Sequence, residues 1–323
     1  MRSEARLLLV DKHAVDQVLV QDAVVRAVRE AFELHSRREG RVFPVIREQL
    51  STGGIFGVKA GDVQSQKLLG FKAAGFWPNN RRAGGEPHQA TIVLFDPETG
   101  RPRCVIDGNT ITTVRTGAAG ALGISALARA ESETVTVFGT GVQAASQLNF
   151  ALRTLPRLKR VRYVAIDRKP DQAFASKFAD RCQIESAANA DEAVAESDIV
   201  ITATPGGGPL FDAAAVRPGT HLNCVGADTR GKRELPPGVL ERARVVVDDK
   251  EQALRLGELQ WAPETPCVEL GDVLTGTASF DRAAADITVF DMTGLALQDL
   301  TVARLVFERA SETGSGTSVS WPW

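Results

Sequence analysis

The segment Gly139-Thr140-Gly141-Val142-Gln143-Ala144 constrains this chain more than any other part of its sequence. It follows the β-branched run at residues 134–138 and opens a helix-like stretch. In such a turn the first glycine permits a sharp bend and the second lets a pyrophosphate approach the backbone, while a small third residue lets the helix pack on the strand. The phosphates would then face the amide groups at the start of the helix, where the helix dipole favours negative charge. The segment therefore predicts a dinucleotide site.

The chain around this turn alternates short apolar strands with helix-like segments. Short buried strands separated by helices are typical of a parallel, doubly wound sheet. We therefore predict an α/β fold with a Rossmann-type dinucleotide-binding domain at residues 119–295. Its strands are predicted at residues 134–138, 161–166, 199–203, 222–225, 245–247 and 287–290.

The first part of the chain has a different pattern. A strand at residues 7–10 and an amphipathic helix precede short β-rich runs separated by Gly, Pro and Asn, which indicate a mostly antiparallel sheet. With 323 residues, the chain is longer than one hydrophobic core usually serves. We predict that residues 1–118 and 296–323 form an α+β substrate-binding and dimerisation domain. The Ser-, Gly- and Thr-rich residues 312–320 are predicted to be mobile.

Composition and charge exclude several classes of function. Lys and Arg total 38 and Asp and Glu total 40, which gives a net charge of −2 without the basic block that nucleic acid requires. No run approaches the roughly 18 apolar residues of a membrane span, and the N-terminus lacks the order of a signal peptide. The four cysteines have no metal-ligand spacing. We therefore expect a cytoplasmic protein that binds no nucleic acid, membrane or metal.

Asp167 stands at the end of the second predicted strand of this domain. An acidic residue there accepts hydrogen bonds from the ribose hydroxyls of NAD, which favours NAD(H). Arg168 follows and can instead meet a 2′-phosphate, so NADP(H) stays open as an alternative. The cofactor contacts that we predict are Thr116, Gly139, Thr140, Gly141, Val142, Gln143, Asp167, Arg168, Thr202, Ala203, Thr204, Val225, Gly226 and Asp228.

Four further segments carry a resemblance that covers nearly the whole chain. They lie at residues 70–80 (GFKAAGFWPNN), 109–119 (NTITTVRTGAA), 225–234 (VGADTRGKRE) and 291–300 (DMTGLALQDL). Together they resemble the ornithine cyclodeaminase/μ-crystallin family. The resemblance implies that Lys72 and Arg115 hold a substrate carboxylate, that Arg47 clamps it, and that Asp228 serves proton transfers. It also implies a homodimer.

The chemistry of these residue types agrees with those roles. Arginine offers a planar fork to a carboxylate, and a desolvated lysine can orient or protonate an imine. An aspartate after the strand predicted at residues 222–225 lies at the carboxyl edge of the sheet. We therefore expect Lys72 and Asp228 to be catalytic, and Arg47, Lys59, Lys72, His88 and Arg115 to bind a small 2-imino or amino acid.

The family includes cyclodeaminases, alanine dehydrogenases, cyclic ketimine reductases and ligand-binding μ-crystallins, and a fold alone cannot choose among them. Cyclodeaminating members carry an acidic residue where this chain has Lys59, and a lysine there would repel ornithine and attract a second carboxylate. The chain is also similar to members that reduce iminosuccinate to L-aspartate, at residues 43–48, Lys59, residues 77–80 and residues 88–91, which begin with His88. NAD(P)H-dependent reduction of a small 2-imino acid is therefore the leading expectation. An ornithine-type lyase and a nucleotide-dependent binding protein are the rivals.

Overall fold

The computed structural model describes residues 5–322. Two compact units divide the chain: Met1–Arg115 with Leu295–Trp323, and Thr116–Gly294. The described strands are β1 (Ala5–Val10), β2 (Gly40–Val42), β3 (Ile46–Gln49), β4 (Ile55–Val63), β5 (Leu68–Phe76), β6 (His88–Phe95), β7 (Pro102–Asp107), β8 (Thr134–Phe138), β9 (Arg160–Val164), β10 (Gln183–Ser186), β11 (Ile199–Thr202), β12 (His221–Cys224), β13 (Ala243–Val247), β14 (Cys267–Glu269), β15 (Ile287–Asp291) and β16 (Thr317–Trp321).

The helices alternate with these strands, and most of them fall in the second unit. The described α-helices are α1 (Lys12–Val18), α2 (Gln21–Ser36), α3 (Gly108–Leu127), α4 (Val142–Thr154), α5 (Gln172–Ser176), α6 (Ala190–Ala195), α7 (Lys250–Leu256), α8 (Leu270–Thr275) and α9 (Ala296–Thr313). Among the described residues, no helix is both long enough and apolar enough to cross a bilayer.

The first unit is built on a mixed sheet in the order β16-β1-β7-β6-β5-β4-β2, with β3 paired to β4. The strands from β2 to β7 pair antiparallel, and only the β1–β7 pair of this sheet is parallel in the described residues. The predicted antiparallel sheet is therefore confirmed. Helices α2 and α9 contact each other, and α9 also contacts β4, β5 and β6. Helix α9 therefore covers one face of this sheet. Its apolar side chains can join the core, and its polar side chains can face the strands.

A tight turn at residues 96–100 joins β6 to β7 in an antiparallel hairpin. The side chain of Asp96 accepts hydrogen bonds from the backbone N–H groups of Glu98 and Thr99, and Gly100 takes a left-handed conformation with φ of 71°. Only glycine adopts that conformation without a steric cost.

The second unit contains a wholly parallel sheet in the order β10-β9-β8-β11-β12-β15-β13-β14. The predicted Rossmann-type fold class is confirmed. Because parallel strands end at one edge, the residues after β8, β9, β11 and β12 meet at the carboxyl edge of this sheet. The sequence did not predict β10 and β14, which are short and carry few β-branched residues.

The prediction of a mobile C-terminal segment is wrong for residues 317–320. Strand β16 pairs antiparallel with β1, from Thr317 opposite Leu9 to Trp321 opposite Ala5. The edge of β1 offers backbone hydrogen bonds that a polar sequence can satisfy as well as an apolar one, so composition alone was misleading.

Candidate functional site

Three basic residues lie on one face of the sheet in the first unit. Lys59 of β4 is directly opposite Lys72 of β5, and Arg47 of β3 is opposite Gly57 of β4. Residues paired across strands share a face, as do residues two apart on one strand. Arg47 therefore lies on the same face as the two lysines, displaced from them by about 7 Å in the direction of the strands. Lys59 and Lys72 are 9% and 4% exposed, so both ammonium groups are buried.

Asp299 accepts hydrogen bonds from two of the basic residues of this unit. Its Oδ1 lies 2.7 Å from Nζ of Lys72 and 3.0 Å from Nε of Arg115. Lys72 also donates to the hydroxyl of Thr112 at 3.3 Å, and Nη1 of Arg115 donates to Oε1 of Gln298 at 3.1 Å. All five side chains are buried. The arrangement is a buried ionic cluster.

Local structure explains how the cluster is assembled. Thr112 and Arg115 are three residues apart on α3 and so project from one side of that helix. Gln298 and Asp299 lie in the first turn of α9, where the helix dipole favours a carboxylate. Gln298 also accepts from the backbone N–H of Leu295 and so caps the helix. The start of α9 therefore holds both the acid and the amide in place.

The pKa values in this cluster depend on burial and on neighbouring charges. The pKa of Lys72 is lowered to about 7, mainly by burial and also by the charges of Arg115 and Lys59, while Asp299 acts in the opposite direction. Burial alone would raise the pKa of Asp299, but the charges of Arg115 and Lys72 outweigh it and keep that pKa low. A lysine that titrates near neutrality can give or take a proton at physiological pH.

The sequence pointed to Lys72 and Arg115 but missed Thr112, Gln298 and Asp299. The available signal was the acid at position 299 in the otherwise largely apolar segment 291–300, since a buried carboxylate requires a cationic partner. His88 is on the same face as Lys72, but it lies opposite Phe76, about 13 Å along the strand. Its Nδ1 is 3.1 Å from Oδ1 of Asn109.

The turn after β8 in the second unit has the geometry that a dinucleotide requires. Gly139 has φ of 101°, and a Cβ there would lie 2.6 Å from the carbonyl oxygen of Ala203. Gly141 is the N-cap of α4, and a Cβ there would meet nothing within 4 Å. Packing inside the chain therefore does not require glycine at 141, whereas the close approach of a ligand to the backbone does. Ala144 is fully buried, which lets α4 pack on the sheet.

Two polar residues near this turn also fit a dinucleotide. The buried Oε1 of Gln143 has no hydrogen-bond partner among residues 5–322. Asp167 comes three residues after the end of β9, is exposed, and accepts from the N–H of Lys169 at 3.1 Å. Arg168 has φ of 58° and lines a polar cleft of about 480 Å³ together with Asn189. These residues can hold the pyrophosphate and the adenosine half of a dinucleotide.

A glutamate, Glu234, connects the carboxyl ends of β11 and β12. The sequence analysis did not predict this role. Glu234 accepts from the hydroxyls of Thr202 and Thr204 and from the N–H groups of Thr204 and Gly226, all at 2.7–2.8 Å. The hydroxyl groups of Thr202 and Thr204 therefore use their protons in hydrogen bonds to Glu234. Ala203 and Val225 are part-buried in the same two strand ends.

Asp228 lies in the second unit, four residues after the end of β12. Its Oδ1 is 2.7 Å from Nζ of Lys232 and also accepts from the hydroxyl of Thr229. Its side chain is 37% exposed, which leaves room for exchange of protons with a bound molecule. Thr116, also predicted as a cofactor contact, is buried in α3, and its carbonyl oxygen accepts from the side chain of Gln147.

Comparisons with known proteins agree with this architecture. The chain is 34% identical to the iminosuccinate reductase of Paracoccus denitrificans over 97% of this chain and 99% of that protein. The crystal structure of that reductase in complex with NAD+ has a TM-score of 0.88 at 33% identity, covering 98% of this chain and all of the other.

Two comparisons with alanine dehydrogenases show a similar degree of likeness to this chain. The enzyme of Archaeoglobus fulgidus is 33% identical over 97% of this chain and 98% of its own length. An archaeal alanine dehydrogenase dimer with bound NAD gives a TM-score of 0.92 at 32% identity, covering 98% of this chain and all of that chain. The family described as "Ornithine cyclodeaminase/mu-crystallin family" matches residues 6–314. The chain therefore belongs to the ornithine cyclodeaminase/mu-crystallin family.

Proposed function

We propose that this protein is an NAD-dependent oxidoreductase that reduces a small 2-imino acid to an L-amino acid, and that the imino acid is iminosuccinate, which yields L-aspartate. The observation that carries the choice of substrate is the position of Lys59, buried directly opposite Lys72. NAD-bound relatives and the iminosuccinate reductase of Paracoccus denitrificans support the proposal.

The charge of Lys59 favours a substrate with a second carboxylate. It lowers the pKa of both Lys72 and Asp299, so it acts electrostatically on the cluster. A buried cation interacts much more strongly with a charged ligand than a solvated one does. A dicarboxylate gains from Lys59, whereas the side-chain ammonium of ornithine is repelled. An ornithine-type lyase is therefore the weaker candidate.

Each basic residue has a distinct task in this proposal. Arg115, with its guanidinium plane fixed by Asp299 and Gln298, offers a fork to the carboxylate next to the imine carbon, and Arg47 clamps the same group. Lys72 donates a hydrogen bond or a proton to the imine nitrogen, and Lys59 binds the distal carboxylate. Asp228 relays protons through its exposed carboxylate.

The residues after β8 would hold the cofactor. A bound nicotinamide dinucleotide supplies the hydride, while the protein supplies orientation and charge. Gly141 leaves the backbone open to the pyrophosphate, and Asp167 would accept from the ribose hydroxyls, which favours NAD(H) over NADP(H). We also propose a homodimer, as in the archaeal relative.

A panel of substrates tests the proposal with the wild-type protein. NADH consumption is followed with oxaloacetate plus ammonia, pyruvate plus ammonia, and a cyclic 2-imino acid, and ammonia release is followed with ornithine plus NAD. We expect oxaloacetate plus ammonia to give the highest kcat/KM. A preference for pyruvate would assign alanine dehydrogenase chemistry instead, and a preference for the cyclic imine would assign ketimine reduction. Ammonia release from ornithine would make the protein a lyase.

A further inference from the structure

We propose that Asp299 is a positioning residue, which fixes Lys72 and Arg115 in one geometry and keeps the proton on Lys72 that imine reduction consumes. The reaction is the one in the proposed function, so the inference rests on that proposal. The role of the residue, however, can be measured without any substrate.

The first argument is geometric. A single carboxylate oxygen, Oδ1, accepts from both Lys72 and Arg115, at 2.7 and 3.0 Å. The adjacent Gln298 accepts from the next nitrogen of the same guanidinium. Two consecutive side chains of α9 therefore fix the plane of Arg115 and the position of the lysine nitrogen together. A shift in either would misplace the substrate carboxylate relative to the proton donor.

The second argument concerns the cost of burying this acid. Asp299 is 0% exposed, and its Oδ2 has no hydrogen-bond partner in the described part of the chain. Burying a carboxylate with one oxygen unsatisfied is costly, and apolar residues often replace buried ion pairs without loss of stability. An acid retained at such a cost indicates a function in the cluster.

The third argument concerns the proton on Lys72. Burial and the charges of Arg115 and Lys59 all lower the pKa of Lys72, while Asp299 raises it through its charge and its hydrogen bond. The hydroxyl of Thr112, at 3.3 Å, is neutral and cannot replace that charge. Without Asp299, the lysine would be largely neutral at pH 7 and would have no proton to give to an imine.

The test compares Asp299→Asn, which keeps the shape but removes the charge, with Asp299→Glu, which keeps the charge but moves it. Glu308→Gln is the matched control, since Glu308 is an exposed acid that pairs with Arg304 on the same helix. For each variant, kcat and KM are measured from pH 5.5 to 9 with the imine that the wild type reduces best. Circular dichroism checks folding, and NADH fluorescence measures cofactor binding.

We expect Asp299→Asn to move the basic limb of the kcat/KM profile to lower pH by about one unit or more, because a buried charge partner is lost. We expect KM to rise, and NADH affinity to stay within about two-fold, a difference below the energy of one typical hydrogen bond. In Asp299→Glu, the basic limb should stay at the pH of the wild type, while kcat should be lower. Glu308→Gln should match the wild type. A lower kcat with an unmoved pH limb in Asp299→Asn would overturn the proposal.

A second measurement uses no substrate and so separates this inference from the proposed function. The pH dependence of the NMR resonance of the Cε carbon of Lys72, in protein with isotope-labelled lysine and assigned by its loss in Lys72→Arg, reports the proton occupancy of the adjacent nitrogen. The transition should occur at lower pH in Asp299→Asn than in the wild type and in Asp299→Glu. If the wild type reduces none of the imines, the function fails while this readout still decides the role of Asp299. If Asp299→Asn does not fold, a wild-type kcat in Asp299→Glu overturns the positioning role.

Discussion

The carboxylate of Glu234 binds the backbone N–H of Gly226 at 2.8 Å and so connects the end of β12 to its own loop. The same carboxylate accepts from Thr202 and Thr204 at the end of β11. One fully buried side chain thus sets the relative position of two strand ends at the carboxyl edge of the parallel sheet. The loops after these strands are where a parallel sheet of this type binds its ligand.

The substitution Glu234→Gln should loosen this edge. An amide keeps one acceptor oxygen and turns its NH2 group towards hydrogen-bond donors, so about two of the four bonds are lost at about 1–3 kcal/mol for each donor left unsatisfied. We expect a fall of roughly 5–10 °C in Tm and weaker NADH binding, measured by thermal unfolding and fluorescence titration. Glu241→Gln, an exposed acid of the same unit, is the control. An unchanged Tm would contradict the structural role.

We expect two neighbouring acids of the second unit, Asp291 and Glu258, to make stability depend on pH. Burial raises the pKa of Asp291 to about 7 and that of Glu258 to about 8. Oδ2 of Asp291 accepts from the N–H of Leu259, and Glu258 accepts from the N–H of Glu234. Since both pKa values are higher in the folded state than in the unfolded state, the folded state holds its protons to higher pH. The contribution of these acids to stability is therefore full at acid pH and is lost as pH rises towards 8.

Asp291→Asn should remove part of this dependence, because asparagine keeps an oxygen for Leu259 but does not titrate. The free energy of unfolding is measured by urea titration at pH 5, 6, 7 and 8. Its decrease with rising pH should be less steep in the variant than in the wild type, and the two slopes should differ by up to about 1.4 kcal/mol per pH unit. Glu264→Gln, an exposed acid of the same unit, serves as the control. A variant with the wild-type slope would show that Asp291 is ionised throughout this range.

The sequence predicted those features that depend on local pattern. The glycine turn at 139–144 and the strand β8 follow from backbone freedom and a β-branched run, which neighbouring residues determine. Asp299 could not be placed with Lys72 in this way, because 227 residues separate them and only the packing of α9 on the first sheet joins them. Similarly, β16 forms because β1 offers a free edge, which the composition of residues 312–320 does not reveal.

We predict that cofactor preference depends on Asp167, which is exposed after β9 at the carboxyl edge. Its carboxylate would repel the 2′-phosphate of NADP, while Arg168 beside it would attract that group. Asp167→Ser should therefore shift the ratio of kcat/KM for NADPH to that for NADH upwards, by about ten-fold or more for the loss of one repulsive charge. Asp180→Ser, at another exposed acid of the same unit, is the control. An unchanged ratio, or a wild-type preference for NADPH, would show that Asp167 does not meet the ribose.

The sharpest prediction concerns Lys59, because the sign of its charge separates a dicarboxylate substrate from an ornithine-type one. Lys59→Ala should lower kcat/KM for oxaloacetate plus ammonia by about 10- to 150-fold more than for pyruvate plus ammonia, since a buried charge-assisted contact contributes roughly 1.5–3 kcal/mol. The control is Lys67→Met in the turn between β4 and β5, where the lysine is 70% exposed and pairs with Glu98. A surface pair of that kind contributes little, so both activities should stay near those of the wild type.

The comparison between substrates also corrects for indirect effects of Lys59→Ala. Removing Lys59 takes away a cation that lowers the pKa of Lys72, so the variant should hold the proton on Lys72 to higher pH with either substrate. That change acts on both reactions equally and cancels in the ratio of their kcat/KM values. Only contact with the distal carboxylate distinguishes oxaloacetate from pyruvate. Equal losses on the two substrates, or no loss on either, would therefore contradict the dicarboxylate assignment and favour alanine-type or cyclic-imine chemistry.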